Sequence, residues 1–135
     1  MILLDSDVLI EILDKKSLRG DRALRAILDS KENICTTSLN IHEVLYGLRK
    51  YAKPIEDILQ LPALKFTKED ARLSSEIELE MERKGTSIRR MDAMIGAIAI
   101  SNASILFTLD RRHFEPLTTF GLKLFAYDPR TSPVA

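Results

Sequence analysis

The sequence predicts an α/β fold in which helices flank a doubly wound parallel sheet. Short apolar runs alternate with segments of helical spacing, and strands separated by helices form parallel sheets covered on both faces. The chain has 135 residues, of which 45% are hydrophobic and 30% are charged. That composition suits one globular domain with one core. We expect this domain to span residues 1–128, followed by a short C-terminal tail at 129–135.

The first half of the chain alternates apolar runs with helical periodicities. Ile2–Leu4 is typical of a buried strand, and Ser6 or Asp7 can cap the helix that follows. Pro54 interrupts a strong helix, because proline cannot continue one. The predicted elements are a strand at 2–4, a helix at 6–14, a helix opened by Gly20-Asp21, a strand at 33–37, and helices at 39–53 and 55–61.

The second half continues this alternation. Thr67 and Asp70 resemble a capping box, and Gly85 follows the last turn of the same helix, where glycine commonly ends one. Asn102 can end the most apolar helix. The predicted elements are a short strand at 64–66, a helix at 68–84, a polar loop at 86–90, a helix at 91–101, a strand at 104–108, a turn through His113, a strand at 122–125 and a loose or extended tail from Asp128.

Four acidic residues, Asp5, Glu43, Asp92 and Asp110, lie beside predicted strand ends or helix starts. Sites in open parallel sheets form outside the carboxyl ends of the strands. Asp5 directly follows the first strand and Asp110 closely follows the strand at 104–108, so we expect the fold to gather the acids. Gathered carboxylates repel one another unless a cation binds them, and oxygen ligands suit a hard divalent ion. The pattern favours metal-assisted cleavage of a phosphodiester.

Each acid also has a purely structural interpretation. Asp5 and Asp7 can cap a helix, and the helix dipole favours Asp92 at a helix start. Glu43 can be a solvated helix residue, and Asp110 can belong to a turn. The functional interpretation depends on the order of the acids along the chain more than on any single acid.

Hydroxyl and basic residues near the acids are secondary candidates. Ser6 and Thr108 can orient carboxylates, although local capping explains them equally well. Four arginines flank Asp92 and Asp110, and they can grip substrate phosphates or form solvated faces. These are Arg89, Arg90, Arg111 and Arg112.

One motif excludes a class of enzyme. His42-Glu43 begins the His-Glu-x-x-His pattern of zinc peptidases, but position 46 is Tyr. His113, the other histidine, cannot restore the spacing of the second zinc ligand. The sequence is therefore not that of a zinc peptidase of this type.

The overall composition says little about the protein's partners or its cellular compartment. Lys plus Arg number 20, as do Asp plus Glu, so the net charge is zero. Cys35 is the single cysteine, so no intrachain disulfide can form, and we expect its thiol in the core. No apolar stretch approaches the ~20 residues of a membrane span. We expect a cytoplasmic protein that makes no membrane contact.

The joint order of the motifs resembles the PIN-domain ribonucleases, most closely the VapC toxins of bacterial and archaeal toxin–antitoxin pairs. ILLDSDVLIE resembles the family's opening strand and first acid, and Asp7 stands where Asn is also common. SLNIHEVLYGL resembles its glutamate helix, and MDAMIGAIAI resembles its third-acid helix. ILFTLDRRHFEPL resembles its closing signature, with Thr108, Asp110 and the aromatic Phe114. The resemblance covers residues 1 to about 128.

The resemblance implies a single PIN domain that hydrolyses RNA with Mg²⁺ or Mn²⁺. Asp5, Asp92 and Asp110 would form the metal site, and Glu43 would complete it directly or through water. Metal-activated water would leave 5′-phosphate and 3′-hydroxyl ends. The resemblance also implies a homodimer and a VapB-type antitoxin partner, and apolar faces of the helices within 39–61 are the expected dimer contacts.

Three alternatives remain. A phosphotransferase of the haloacid dehalogenase type also begins with a strand and Asp-x-Asp, but Val8-Leu9 stand where a hydroxyl is needed. A response-regulator receiver needs adjacent acids after its first strand, and the sequence lacks them. A non-catalytic PIN scaffold that binds RNA or protein is the strongest alternative, although the complete acid set argues against it.

Overall fold

A parallel sheet forms the centre of the molecule, as predicted. The computed structural model describes residues 1–130, so most of the predicted tail, residues 131–135, lies outside the described residues. The strands pair in the order β3-β2-β1-β4-β5, and every neighbouring pair is parallel. Their bounds are Ile2–Leu4 (β1), Ile34–Thr37 (β2), Ala63–Leu64 (β3), Ile105–Phe107 (β4) and Lys123–Leu124 (β5).

Helices connect these strands and cover both faces of the sheet. Two of them change their hydrogen-bonding pattern: α1 continues as a π-helix at Ile10–Lys15, and α7 continues as a 3₁₀-helix at Glu115–Phe120. The α-helices are Ser6–Leu9 (α1), Leu18–Ser30 (α2), Ser38–Lys50 (α3), Glu56–Leu59 (α4), Lys68–Arg83 (α5), Arg90–Ser101 (α6) and Arg111–Phe114 (α7).

The sheet separates two apolar clusters, because successive side chains of a strand point to opposite faces. Ile2 and Leu4 of β1 belong to a cluster that also contains buried residues of α1 to α4. Leu3 belongs to the other cluster, with α5, α6 and the 3₁₀ segment. Cys35 is fully buried in the second cluster, as predicted.

Capping residues explain where several helices begin and end. The predicted capping box of Thr67 and Asp70 is present at α5, and Gly85 after that helix has a positive φ of 72°. Asn102 caps the end of α6, as predicted. The prediction that Ser6 or Asp7 caps α1 was wrong, because Asp5 is the N-cap and accepts from the Ser6 backbone N–H.

Other element boundaries differ from the predicted ones by one turn or less. The second helix begins at Leu18 rather than at Gly20, because the Ser17 side chain accepts from the Gly20 N–H and so caps it. The third helix ends at Lys50 rather than at residue 53, since a proline disfavours helical geometry in the residue before it. The predicted turn through His113 is the short helix α7.

Each helix within residues 1–130 is too short or too polar to span a bilayer.

Candidate active site

The sheet order places the predicted site at the point where the chain reverses direction across the sheet. β1 is hydrogen-bonded to β2 on one side and to β4 on the other. Leu4 at the end of β1 is in register with Phe107 at the end of β4, so Asp5 and Thr108 follow at the same level. The Asp5 backbone N–H donates to the Phe107 carbonyl at 3.0 Å. Crevices of this kind are where doubly wound sheets bind ligands.

Asp5 is buried at this point, with an exposed fraction of 8%. Its Oδ1 accepts from the Ser6 N–H at 2.9 Å and from the Asn40 amide at 3.1 Å. Its Oδ2 accepts from the Thr108 hydroxyl at 2.8 Å. Burial, followed by the negative charge of Asp7, raises the pKa of Asp5 to about 7, and the charge of Asp92 contributes. The donors do not fully replace the hydration that the carboxylate has lost.

Asn40 connects this carboxylate to Glu43, a role that the sequence analysis missed. Its fully buried amide donates to Asp5 and, at 2.9 Å, to the Ser6 hydroxyl, which in turn donates to Glu43 at 2.9 Å. The Asn40 carbonyl accepts from the Thr37 hydroxyl, and this bond fixes which way the amide points. The signal in the sequence was its spacing, because Asn40 lies three residues before Glu43 and so shares a helix face with it.

Asp7 forms hydrogen bonds with the segment that follows β4. Its Oδ2 accepts from the Leu109 N–H at 3.1 Å and from the Thr108 hydroxyl at 3.3 Å. Burial raises the pKa of Asp7 above its usual value. Its Oδ1 is buried and has no hydrogen-bond partner within residues 1–130. Thr108 therefore contacts two acids, and among the described residues Asp7 retains a free acceptor.

Asp92 lies buried in the first turn of α6 and forms an ion pair with Arg89. The Arg89 Nε donates to the Asp92 Oδ2 at 2.9 Å, while most of the arginine side chain is exposed. The hydrogen bond and charge of Asp92 raise the pKa of Arg89, and the charges of Asp110 and Glu43 add to this effect. Arg89 therefore lies in the combined field of three of the four predicted acids.

Asp110 is the most exposed aspartate of the set and pairs with His113 Nδ1, a contact that the sequence analysis did not predict. Two of the predicted phosphate-binding arginines are engaged elsewhere. Arg90 forms two hydrogen bonds with Glu78 on α5, at 3.1 and 3.0 Å. Arg111 donates to the Phe125 carbonyl at 2.6 Å.

The chemistry of the acids fits a hard divalent cation. All their donor atoms are carboxylate oxygens, and within residues 1–130 the Asp7 Oδ1 lacks a hydrogen-bond partner. Burial and the charge of Asp7 raise the pKa of Asp5, so a cation there would favour its ionised form. Within residues 1–130, however, no three acid, His or Cys side chains converge closely enough to hold an ion as they stand. Arg89 and His113 hold Asp92 and Asp110, so these two carboxylates must turn before they can converge.

The chain is similar to curated bacterial nucleases. It is 28% identical over 120 residues to Ribonuclease VapC2 of Haemophilus influenzae, which covers 84% of this chain and 89% of the relative. It is 29% identical over 89 residues to the tRNA(fMet)-specific endonuclease VapC of Salmonella typhimurium, which covers 61% of this chain and 67% of the relative.

Solved structures share the fold. VapBC2 from Rickettsia felis, bound to a DNA fragment from its promoter, superposes with a TM-score of 0.72 at 23% identity, covering 95% of this chain and all of that one. A sequence model described as the PIN domain matches residues 2–116, which is most of the chain. On that match, the chain belongs to the PIN domain family.

Proposed function

We propose that this protein is a divalent-metal-dependent endoribonuclease and the toxin of a toxin–antitoxin pair. Membership in the PIN domain family favours this function over the phosphotransferase and receiver alternatives. The names of the curated relatives, a VapC ribonuclease and a VapC endonuclease specific for tRNA(fMet), support RNA as the substrate. The observation that carries the proposal is the buried Asp5, held by three donors within a crevice of acids from four elements.

Each acid would have a distinct part in this mechanism. Asp5, Asp92 and Asp110 would ligate the ion, and Glu43, oriented by Ser6, would complete the site. When bound, Mg²⁺ or Mn²⁺ would activate water for attack on the phosphorus and stabilise the leaving oxygen. Thr108 holds the Asp5 carboxylate in place, and Asp7 fixes the backbone that precedes Asp110. This route does not use the RNA 2′-hydroxyl, so the products would carry 5′-phosphate and 3′-hydroxyl ends.

Incubation of the purified protein with total RNA and Mg²⁺ tests this proposal. We expect cleavage that stops in EDTA and in Asp5→Asn, and end-mapping that finds 5′-phosphates. Products with 2′,3′-cyclic phosphates would overturn the mechanism. Cleavage that persists in EDTA would overturn the metal dependence.

A non-catalytic scaffold is the second candidate, and one observation favours it. The carboxylates do not converge as they stand, because Arg89 and His113 engage Asp92 and Asp110. A scaffold predicts that RNA or protein binding persists when an acid is removed and that no RNA in the pool is cleaved. Mg²⁺-dependent cleavage by the wild type would exclude it.

A VapB-type antitoxin and a second copy of the chain are the proposed protein partners. Solved structures of similar fold that are described as a toxin–antitoxin complex and as a member of the VapBC family of toxin–antitoxin systems support the first. For the second, Tyr46, Tyr51 and Leu59 are large apolar residues that α3, α4 and the segment between them leave more than half exposed. A gel-filtration mass of one chain at micromolar concentration would refute the homodimer.

A further inference from the structure

A cleft rich in arginine opens beside the acidic crevice. Its volume is about 240 Å³. Three separate parts of the chain form it: the start of α2, the segment from the end of β4 into α7, and the C-terminal segment after β5. Its lining residues are Arg19, Thr108, Leu109, Asp110, Arg111, Arg112, Tyr127 and Pro129. Three positive charges therefore face one negative charge.

The cleft and the acidic crevice share residues. Thr108 lines the cleft and donates to the Asp5 carboxylate, and Asp110 is also common to both. A polymer that places one phosphate at the acids would therefore continue into the cleft.

Arg19, at the start of α2, is held by a buried acid. It lies in the first turn of α2, where the helix dipole disfavours a cation. Its Nη1 lies 3.6 Å from the buried carboxylate of Glu11, which also accepts from the Ser17 hydroxyl. This hydrogen bond and the charges of Lys15 and Arg19 hold the pKa of Glu11 below its usual value. Glu11, the anchor of Arg19, therefore stays ionised. The guanidinium is held in position while most of its side chain remains exposed.

The other cleft arginines differ in availability. Arg111 is engaged with the Phe125 carbonyl. Arg112 is exposed and, within the part of the chain that the structure describes, has no hydrogen-bond or ion-pair partner. On the opposite wall of the cleft, the Tyr127 ring packs on Phe107 with centroids 5.0 Å apart. The contact of Arg19 with Glu11, at 3.6 Å, is longer than the hydrogen bonds that engage Arg111 and Arg90. Among the described residues, Arg19 and Arg112 are therefore the cations that the cleft offers to a ligand.

We propose that this cleft binds the single-stranded RNA backbone next to the cleaved phosphate, with Arg19 and Arg112 contacting phosphate oxygens. The inference rests on the proposed function and names its substrate subsite. Guanidinium groups match phosphate geometry, and proteins that bind single strands follow the backbone with a positively charged groove. Arg90, which the sequence offered for this role, is bound to Glu78 instead.

Binding of a fluorescent single-stranded RNA oligonucleotide in EDTA tests this subsite without cleavage. Arg19→Gln and Arg112→Gln should each weaken binding severalfold and lower the slope of log affinity against log salt by about 0.7 per lost phosphate contact. Arg19→Lys should restore part of the loss. Arg25→Gln is the matched control, because Arg25 lies on the same helix but faces a different depression with Leu24 and Leu28. With Mg²⁺ present, the two cleft variants should raise KM more than they lower kcat.

The outcomes separate this inference from the proposed function. Wild-type cleavage with unchanged RNA affinity and salt slope in both cleft variants overturns the subsite and leaves the nuclease intact. Weakened binding in both variants without any wild-type cleavage supports the subsite and overturns the catalytic proposal. Loss of antitoxin binding with unchanged RNA binding assigns the cleft to a protein partner and overturns the inference.

Discussion

At the scale of single residues, the environment of Asp5 favours cation binding but destabilises the metal-free protein. Burial and the charges of Asp7 and Asp92 oppose its ionised form, whereas hydrogen bonds from Thr108 and the Ser6 N–H favour it. The balance leaves its pKa at about 7. A carboxylate whose ionised form is disfavoured without a cation is suited to bind one. In the metal-free protein, the same carboxylate lowers the free energy of unfolding.

The metal-free protein should therefore become more stable as the pH falls. The folded pKa of Asp5 lies above its ordinary value of 3.8, so its contribution to stability is complete below pH 3.8 and is lost as the pH rises through about 7. A shift of about 3 units corresponds to about 4 kcal/mol. Asp5→Asn, unfolded by urea in EDTA, should be more stable than the wild type at pH 8 and equal to it near pH 4. A variant that is less stable at pH 8 would contradict this account.

Asn40 should matter for both stability and catalysis. Asn40→Ala removes the buried amide that holds Asp5 and Ser6, so we expect a loss of about 1–3 kcal/mol in the free energy of unfolding. Cleavage should fall by roughly 10- to 100-fold, because Asp5 loses a donor and Ser6, which orients Glu43, loses another. Asn102→Ala is the control, since the Asn102 amide donates to the Ile98 carbonyl at 2.8 Å, at the end of α6. Equal cleavage by the two variants would refute a positioning role for Asn40.

At the scale of elements, the contact of α2 with the π-helix depends on one glycine. A Cβ atom on Gly20 would lie 2.2 Å from the Glu11 carbonyl oxygen and 3.0 Å from the Ile12 Cα. These are backbone atoms, so rotation of a neighbouring side chain cannot relieve the clash. The same contact holds Glu11, the anchor of Arg19.

Gly20→Ala should destabilise the protein by about 1–3 kcal/mol, because it forces two segments apart. Gly47→Ala is a matched control within α3, since a Cβ atom there would meet no described residue within 4 Å. That substitution should instead add about 0.5–1 kcal/mol, because alanine favours the helix. Urea unfolding measures both, and a Gly20→Ala protein of unchanged stability would show that the two segments separate freely.

The element boundaries show what local sequence decides. Thr67, Asp70 and Gly85 were assigned correctly because a capping box and a C-terminal glycine act over a few residues. The start of α2 was missed although the Ser17 cap is also local. Asp5 was read mainly as a site residue, yet it caps α1 as well.

At the scale of the whole molecule, a divalent ion should join elements that are distant in sequence. Mg²⁺ or Mn²⁺ at 100 times its Kd should stabilise the fold by ~2.7 kcal/mol and raise the Tm. Asp92→Asn should reduce that rise. Arg89→Gln should enlarge it, because Arg89 competes with the ion for Asp92. Differential scanning fluorimetry with and without metal measures each change.

Arg90→Gln is the matched control for this experiment, because Arg90 is bound to Glu78 and not to the site acids. Its metal-induced change in Tm should equal that of the wild type. An unchanged Tm in the wild type with saturating metal would contradict a divalent-metal site at these acids. An unchanged rise in Arg89→Gln would show that Arg89 does not compete.

The sequence by itself determined the α/β class, the parallel sheet and the four acids beside strand ends and helix starts. Hydrophobic periodicity, capping and the position of an acid after a strand are local properties that neighbouring residues set. From these properties we expect Asp5 and Asp110 at the same edge of the sheet, and the strand ends that precede them, Leu4 and Phe107, are in register.

Only the tertiary structure decided which side chains meet around those acids. Asn40 reaches Asp5 across 35 positions, and Thr108 reaches it across 103. Arg19 at the start of α2 and Arg112 in α7 line one cleft, although they lie far apart in the sequence. Arg90 binds Glu78 on α5, whereas Arg89 binds Asp92 three positions along the chain. The pair of Arg89 and Asp92 has the spacing of neighbours on one helix. The other contacts depend on how different elements pack together, which local spacing does not predict.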